Sequence, residues 1–142
     1  MNQEEIIRLL NDHGIQPTQQ RVLIALVMFE KPQHLSAEQV LDAVNQDEST
    51  DSRSNVSKAT VYNTLGLFAR KGIINEVIVD PSRIFYDSNT LPHHHFYNVD
   101  TGVLTDIDRT QVELSRLPEL PAGTEPAGVD VIVRVKTAAG IA

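Results

Sequence analysis

Residues 57–87 read SKATVYNTLGLFARKGIINEVIVDPSRIFYD, and this stretch restricts the fold more than any other. Its first half carries Val61, Leu65 and Phe68 at helical spacing, opens on a serine able to cap a helix, and closes on Gly72. Its second half holds two apolar runs, IINEVIV and RIFYD, joined by Asp80-Pro81-Ser82, the pattern of a two-stranded hairpin. A helix that feeds directly into a hairpin predicts an α+β chain.

Upstream, the spacing predicts three more helices. Segment 3–12 places Ile6, Ile7 and Leu10 on one side and stops at Gly14. Pro17-Thr18 opens a second, Thr18 to Phe29, whose apolar stripe is Val22, Leu23, Leu26, Val27 and Phe29; Lys31-Pro32 ends it. Ser36-Ala37-Glu38-Gln39 fits a capping box, so a third runs to about Asn45, and the polar residues 46–55 read as a loop. Helices, then a helix with a polar face, then a hairpin is the order of a winged helix-turn-helix.

The fourth helix carries two kinds of surface. Val61, Leu65, Phe68 and Ala69 would dock on the earlier helices, while Ala59, Tyr62, Asn63, Gly66 and Arg70 point the other way, with Lys58 and Thr60 near the amino end. A small, polar, cationic face is either ordinary solvated surface or one that enters a DNA groove, where Asn and Tyr reach base edges or phosphates. The element order favours DNA. Tyr62, central on that face, is the leading base contact, with Asn63 and Thr60 beside it; Arg21, Arg53, Lys58, Arg70 and Lys71 are candidate phosphate contacts.

Composition sets limits on this reading. A chain of 142 residues with 41% apolar content has room for one ordinary domain or two small ones. The net charge of −7 argues against nonspecific coating of nucleic acid and leaves a local basic face open. No run approaches the ~18 apolar residues of a membrane span, and the acidic, amphipathic start is unlike a secretory signal, so a soluble cytoplasmic protein is expected. The absence of cysteine excludes disulfides, thiolate zinc sites and redox thiols.

The boundary is expected in YDSNTLP, residues 86–92, giving a winged-helix DNA-binding domain over 1–87 and a small α/β domain over 88–142. In the latter, HHHFYNV and VLTDI form a hairpin about VDTG, RTQVELSRL a short helix, PELPAGTEPAG a connector and VDVIVRV a final strand. Three short strands and one helix make a poor autonomous domain. The simplest cover for such a sheet is a second copy, and a homodimer suits a palindromic double-stranded operator.

Three adjacent histidines in a strand pattern ask for an explanation. Alternation puts His93 and His95 on one face and His94 on the other. A turn at Asp100-Thr101 sets His95 opposite Asp106 and His93 opposite Asp108; a turn at Thr101-Gly102 sets Asp108 opposite His95. Either register gathers imidazole and carboxylate, as a divalent-cation site would, although solvated histidines with neighbouring acids would look the same. His13, at a helix end, suits the helix dipole and is assigned no function.

Three motifs in order, PTQQRVLIAL, QHLSAEQV and SKATVYNTLGLFARKGII, resemble the ferric uptake regulator superfamily, and the similarity extends to about residue 113. The resemblance implies a dimeric, metal-dependent transcription factor acting as a repressor, with a winged helix and a carboxy-terminal dimerisation domain. It further implies one regulatory site made of His34, Asp87, His93, His95 and Asp106. A set of three imidazoles and two carboxylates suits Fe²⁺ or Mn²⁺ in the cell and would also take Zn²⁺ in a purified sample. An ion shared by these residues would set the angle between the two domains. The acidic ligands resemble the peroxide-sensing branch, which implies oxidation of His34 or His93 when iron is bound; HHHF, YDSN and VDVIVRV resemble the iron response branch. His94 and Glu113 match a further family site, with Pro92 where a histidine is usual, and Asn98 and Thr101 stand where a Cys-x-x-Cys pair normally falls. Two alternatives remain: haem sensing through the histidine triplet, and a non-haem iron enzyme built on a facial triad.

Overall fold

Among the described residues, each of the four α-helices starts where a polar side chain can close its first turn. In the computed structural model, α1 (Gln3–Asp12) begins at Asn2 and α3 (Ala37–Asn45) at Ser36, both with complete capping boxes. Thr18 caps α2 (Gln19–Met28) and Ser57 caps α4 (Lys58–Arg70), each side chain accepting from the backbone N–H three residues on. The structure describes residues 1–46 and 55–139; the interior of the expected polar loop, with Arg53, lies outside the described residues.

The chain divides into two compact units, Met1–Thr90 and Leu91–Ala142. In the first, Ile6, Leu10, Ile24, Met28, Val40, Leu65 and Phe68 are fully buried in one core that the four helices share. The side chain of Asn45 holds Val56 from both sides, accepting from its N–H and donating to its carbonyl, both at 2.9 Å. This fixes the amino end of α4 against the end of α3. At the other end, Gly72 at φ +80° lets Ile73 N–H reach the Phe68 carbonyl and turns the chain out of α4 into the sheet.

That sheet has three antiparallel strands where the sequence pattern predicts two. β2 (Asn75–Asp80) and β3 (Arg83–Asp87) form the expected hairpin, and β1 (His34–Ser36), too short to show a period, pairs with the far edge of β3. Its register sets His34 opposite Asp87. Tyr86, buried on β3, has its phenol pushed above the usual range by burial, with Glu76 and Tyr62 adding to it.

The second unit is a sheet in the order β5-β4-β6, with β4 (His94–Asn98) antiparallel to β5 (Leu104–Ile107) and parallel to β6 (Ile132–Val135). The expected helix over 109–117 does not form. Asp108 caps a single 3₁₀ turn, Arg109–Gln111, and residues 113–121 are irregular and exposed. Pro118 disfavours helical backbone at Leu117 and removes a donor, and Leu114 and Leu117, one turn apart, make too narrow an apolar stripe to repay nucleation. The final strand is also shorter than VDVIVRV, beginning only at Ile132.

Candidate metal centre and nucleic-acid face

The hairpin of the second unit takes the register in which His95 faces Asp106. Its loop is longer than two residues: Asn98 N–H donates to the Val103 carbonyl, and Gly102, at φ +73°, donates back to Asn98. Asp106 Oδ1 lies 3.4 Å from His95 Nε2 and 3.4 Å from His93 Nε2. His93 therefore goes with Asp106, contrary to the expected pairing with Asp108. β4 begins one residue too late to extend that ladder, and the Asp108 carboxylate accepts instead from the Thr110 hydroxyl and N–H. Those bonds hold the Asp108 carboxyl below its usual range.

The electrostatics of this cluster favour a cation. His93 Nδ1–H donates to the Leu91 carbonyl at 2.7 Å, which puts the lone pair on Nε2, the atom facing Asp106. The two rings are 4.6 Å apart between centroids, and one nitrogen from each lies within 4.8 Å of the other and of an Asp106 oxygen. His95 is buried and the His93 side chain nearly so, while Asp106 is half exposed. Two imidazole nitrogens and a carboxylate oxygen this close together are a donor set of the kind that holds a divalent metal ion.

His34 and Asp87 form a second pair, in the first unit. They are opposed across β1 and β3; Asp87 is buried and accepts from Asn89 N–H at 2.9 Å, and His34 stands edge-on to Phe85. The family resemblance alone singled out both residues; the strand that opposes them was not expected, because three residues carry no periodicity.

His94 is buried on the other face of β4, its Nδ1 accepting from Val131 N–H at 3.0 Å, so the ring proton is on Nε2. Glu113 is exposed in the irregular segment. Among the described residues, no group of three or more ligating side chains includes either one. His13 Nδ1–H donates to the Leu9 carbonyl at 2.9 Å, closing the last turn of α1.

On α4, Lys58, Tyr62, Asn63 and Arg70 are exposed, while Val61, Leu65 and Phe68 are buried. Thr60 is half-buried: its N–H donates to Ser57 Oγ and its hydroxyl accepts from the Ser57 hydroxyl. Lys58 Nζ lies 3.5 Å from Glu38 and 5.8 Å from the centre of the Tyr62 ring. Arg70 folds back over Gly66, its Nη1 3.4 Å from where a Cβ would stand. Arg21 donates to the Gln16 carbonyl at 3.0 Å, and Lys71 is exposed.

A helical core with a polar-faced fourth helix, a three-stranded wing, and imidazole–carboxylate pairs in both units is the architecture of a winged-helix regulator, with side chains chemically able to ligate a metal ion. The chain belongs to the ferric uptake regulator family, whose model matches residues 12–123. It is 32% identical over 117 residues to the peroxide-responsive repressor PerR of Staphylococcus aureus, an alignment covering 82% of this chain and 76% of that one. Its fold is similar to that of the ferric uptake regulator of Pseudomonas aeruginosa with manganese, at a TM-score of 0.68 and 23% identity over 96% of this chain and 98% of that one. The Francisella tularensis ferric uptake regulator with iron gives a TM-score of 0.68 and 24% identity over 87% and 92%. The protein is a metal-responsive transcription regulator of this family.

Proposed function

We propose that the protein is a homodimeric repressor in which His34, Asp87, His93, His95 and Asp106 hold one divalent cation, Fe²⁺ or Mn²⁺ in the cell, and that α4 reads a palindromic operator through Tyr62, Asn63 and Thr60. The observation that carries this reading is the convergence of His93 and His95 Nε2 on one Asp106 oxygen. The opposed pair His34 and Asp87 supports it. The donor chemistry fits: nitrogen and oxygen without sulfur suits iron or manganese, and five donors exceed what a tetrahedral structural zinc uses. Iron and manganese accompany the two ferric uptake regulator structures named above, and the Staphylococcus relative is a peroxide-responsive repressor, so iron availability and peroxide are the signals to test.

When bound, the cation supplies the positive charge that the five donors share. His34 and Asp87 then hold the edge of the wing sheet, and His93, His95 and Asp106 hold the hairpin of the second unit. DNA affinity changes only as far as the filled donor set favours the reading arrangement over others. A hundredfold change corresponds to about 2.7 kcal/mol of such preference. Arg21, Lys58 and Arg70 serve as phosphate contacts.

Family members are dimeric DNA-binding regulators. Among the described residues, ten of the thirteen large apolar side chains that stand exposed belong to the second unit, as expected of half an interface. The test is a fluorescence-anisotropy titration of operator DNA with and without Fe²⁺ or Mn²⁺, for the wild-type chain and His95→Ala. The expected result is metal-dependent binding in the wild type and loss of that dependence, with weaker metal binding, in the variant. Unchanged metal dependence in His95→Ala rejects the assignment.

A further inference from the structure

In a helix-turn-helix, the second helix is normally aimed by a turn of about three or four residues. Here α3 ends at Asn45 and α4 opens at Lys58, so twelve residues, 46–57, separate them. A short turn sets the angle between two helices through its own backbone. Over a connection this long, many backbone paths join the same two ends, so the aim of α4 has to come from elsewhere.

The side chain of Asn45 supplies it. Its Nδ2–H donates to the Val56 carbonyl and its Oδ1 accepts from the Val56 N–H, both at 2.9 Å and both partly buried. A carboxamide carries a donor and an acceptor side by side, so it pairs with backbone as a neighbouring strand would. Aspartate offers only acceptors, and leucine, of similar size, offers neither. Val56 is itself 3% exposed and belongs to the core that holds Val61, Leu65 and Phe68 of α4. Its side chain is gripped by the core and its backbone by Asn45.

The residues after Val56 inherit that placement. Ser57 Oγ accepts from the Thr60 N–H at 3.2 Å, and the Ser57 hydroxyl donates to Thr60 Oγ1 at 2.9 Å, closing the first turn of α4. Lys58, Thr60 and Tyr62 follow directly. The contact of Lys58 with Glu38 of α3 is exposed and screened, so it adds little restraint. Hydrogen bonds to base edges weaken steeply with distance and angle, whereas attraction to phosphates extends over about 10 Å and tolerates a shift. A small displacement of α4 therefore costs base reading first.

Resting on the DNA-reading role of α4 above, we infer that Asn45 is a positioning residue for operator recognition. Its carboxamide holds the start of α4 at the depth and rotation that set Tyr62, Asn63 and Thr60 against base edges. Asn45 thus governs the preference for operator over other DNA and leaves general affinity for the duplex alone.

The test measures two affinities for each full-length chain at one salt concentration. One is for a duplex that the wild-type chain selects from a random-sequence library, with Mn²⁺ or without; the other is for a shuffled duplex of the same length and composition. In Asn45→Ala, the ratio of the two is expected to fall at least about tenfold, with affinity for the shuffled duplex within about twofold of wild type. Asn45→Asp keeps the bond from the Val56 N–H and loses the one to its carbonyl, so its ratio is expected to fall as well. The added charge acts on both duplexes alike and cancels in the ratio. All chains are compared below their melting midpoints, and if Asn45→Ala does not fold, Asn45→Asp decides alone. Equal losses on both duplexes would show that Asn45 only supports the fold, and they overturn the positioning role, as does a wild-type ratio in a folded variant. A wild-type chain that selects no duplex overturns the DNA-reading role of α4 along with it.

Discussion

Lys58 stands at the amino end of α4, between the Glu38 carboxylate of α3 and the face of Tyr62. Its side chain is 62% exposed and that of Glu38 is 69% exposed, so solvent screens the pair and it holds the lysine only weakly. In the DNA-reading role, the same lysine would exchange Glu38 for a phosphate, with the acid repelling the backbone nearby. Glu38→Gln is expected to tighten operator binding by about two- to fivefold without changing thermal stability, as anisotropy and a melting curve would report. Looser binding in this variant would mean that Glu38 positions Lys58 rather than competing for it. The sequence placed Lys58, Tyr62 and Asn63 on the outward face from helical spacing alone, because period settles which side a residue takes. The competing carboxylate comes from another helix and has no sequence signal.

At the scale of elements, the strand that carries His34 is joined to its surroundings by one residue on each side. Gln33 N–H donates to Ser88 Oγ, and the Gln33 carbonyl accepts from Ser88 N–H at 3.0 Å. The Gln33 side chain donates to the carbonyls of Val27 and Met28, closing the last turn of α2. The pair Gln33–Ser88 therefore clasps the strand ends one step beyond His34 and Asp87 and ties them to α2. Gln33→Ala is expected to cost about 1–2 kcal/mol, a fall of several degrees in the melting temperature of this unit. A midpoint within a degree of wild type would show that water replaces the amide at no cost. The helices and both hairpins were legible because caps, glycine stops and alternation act over four to eight residues. The strand at His34–Ser36 was not, and the short helix expected over 109–117 was overridden by Pro118 and by the lack of a face to bury.

For the whole molecule, charge decides how DNA is bound. The first unit, Met1–Thr90, carries eight lysines and arginines against twelve aspartates and glutamates. A reader this acidic has little general attraction for a polyanion and must rely on a few placed cations and on base contacts. With Arg21, Lys58 and Arg70 from each of two protomers neutralising phosphates, the slope of log affinity against log salt is expected near −5. An anisotropy series at several salt concentrations measures it. A slope near −10 would require about twice as many phosphate contacts as the outward face of α4 and Arg21 supply.

The sequence by itself determined the helix ends, the two hairpins, the outward face of α4 and the gathering of imidazole with carboxylate around residues 93–108. All of these follow from periods, caps and neighbours along the chain. Only the tertiary structure decided that His34 is opposed by Asp87, that His93 turns to Asp106 while Asp108 closes a turn, and that β6 lies parallel to β4. Those facts depend on segments tens of residues apart competing for the same edge or the same lone pair. Such competition is settled by packing and leaves no local pattern to read.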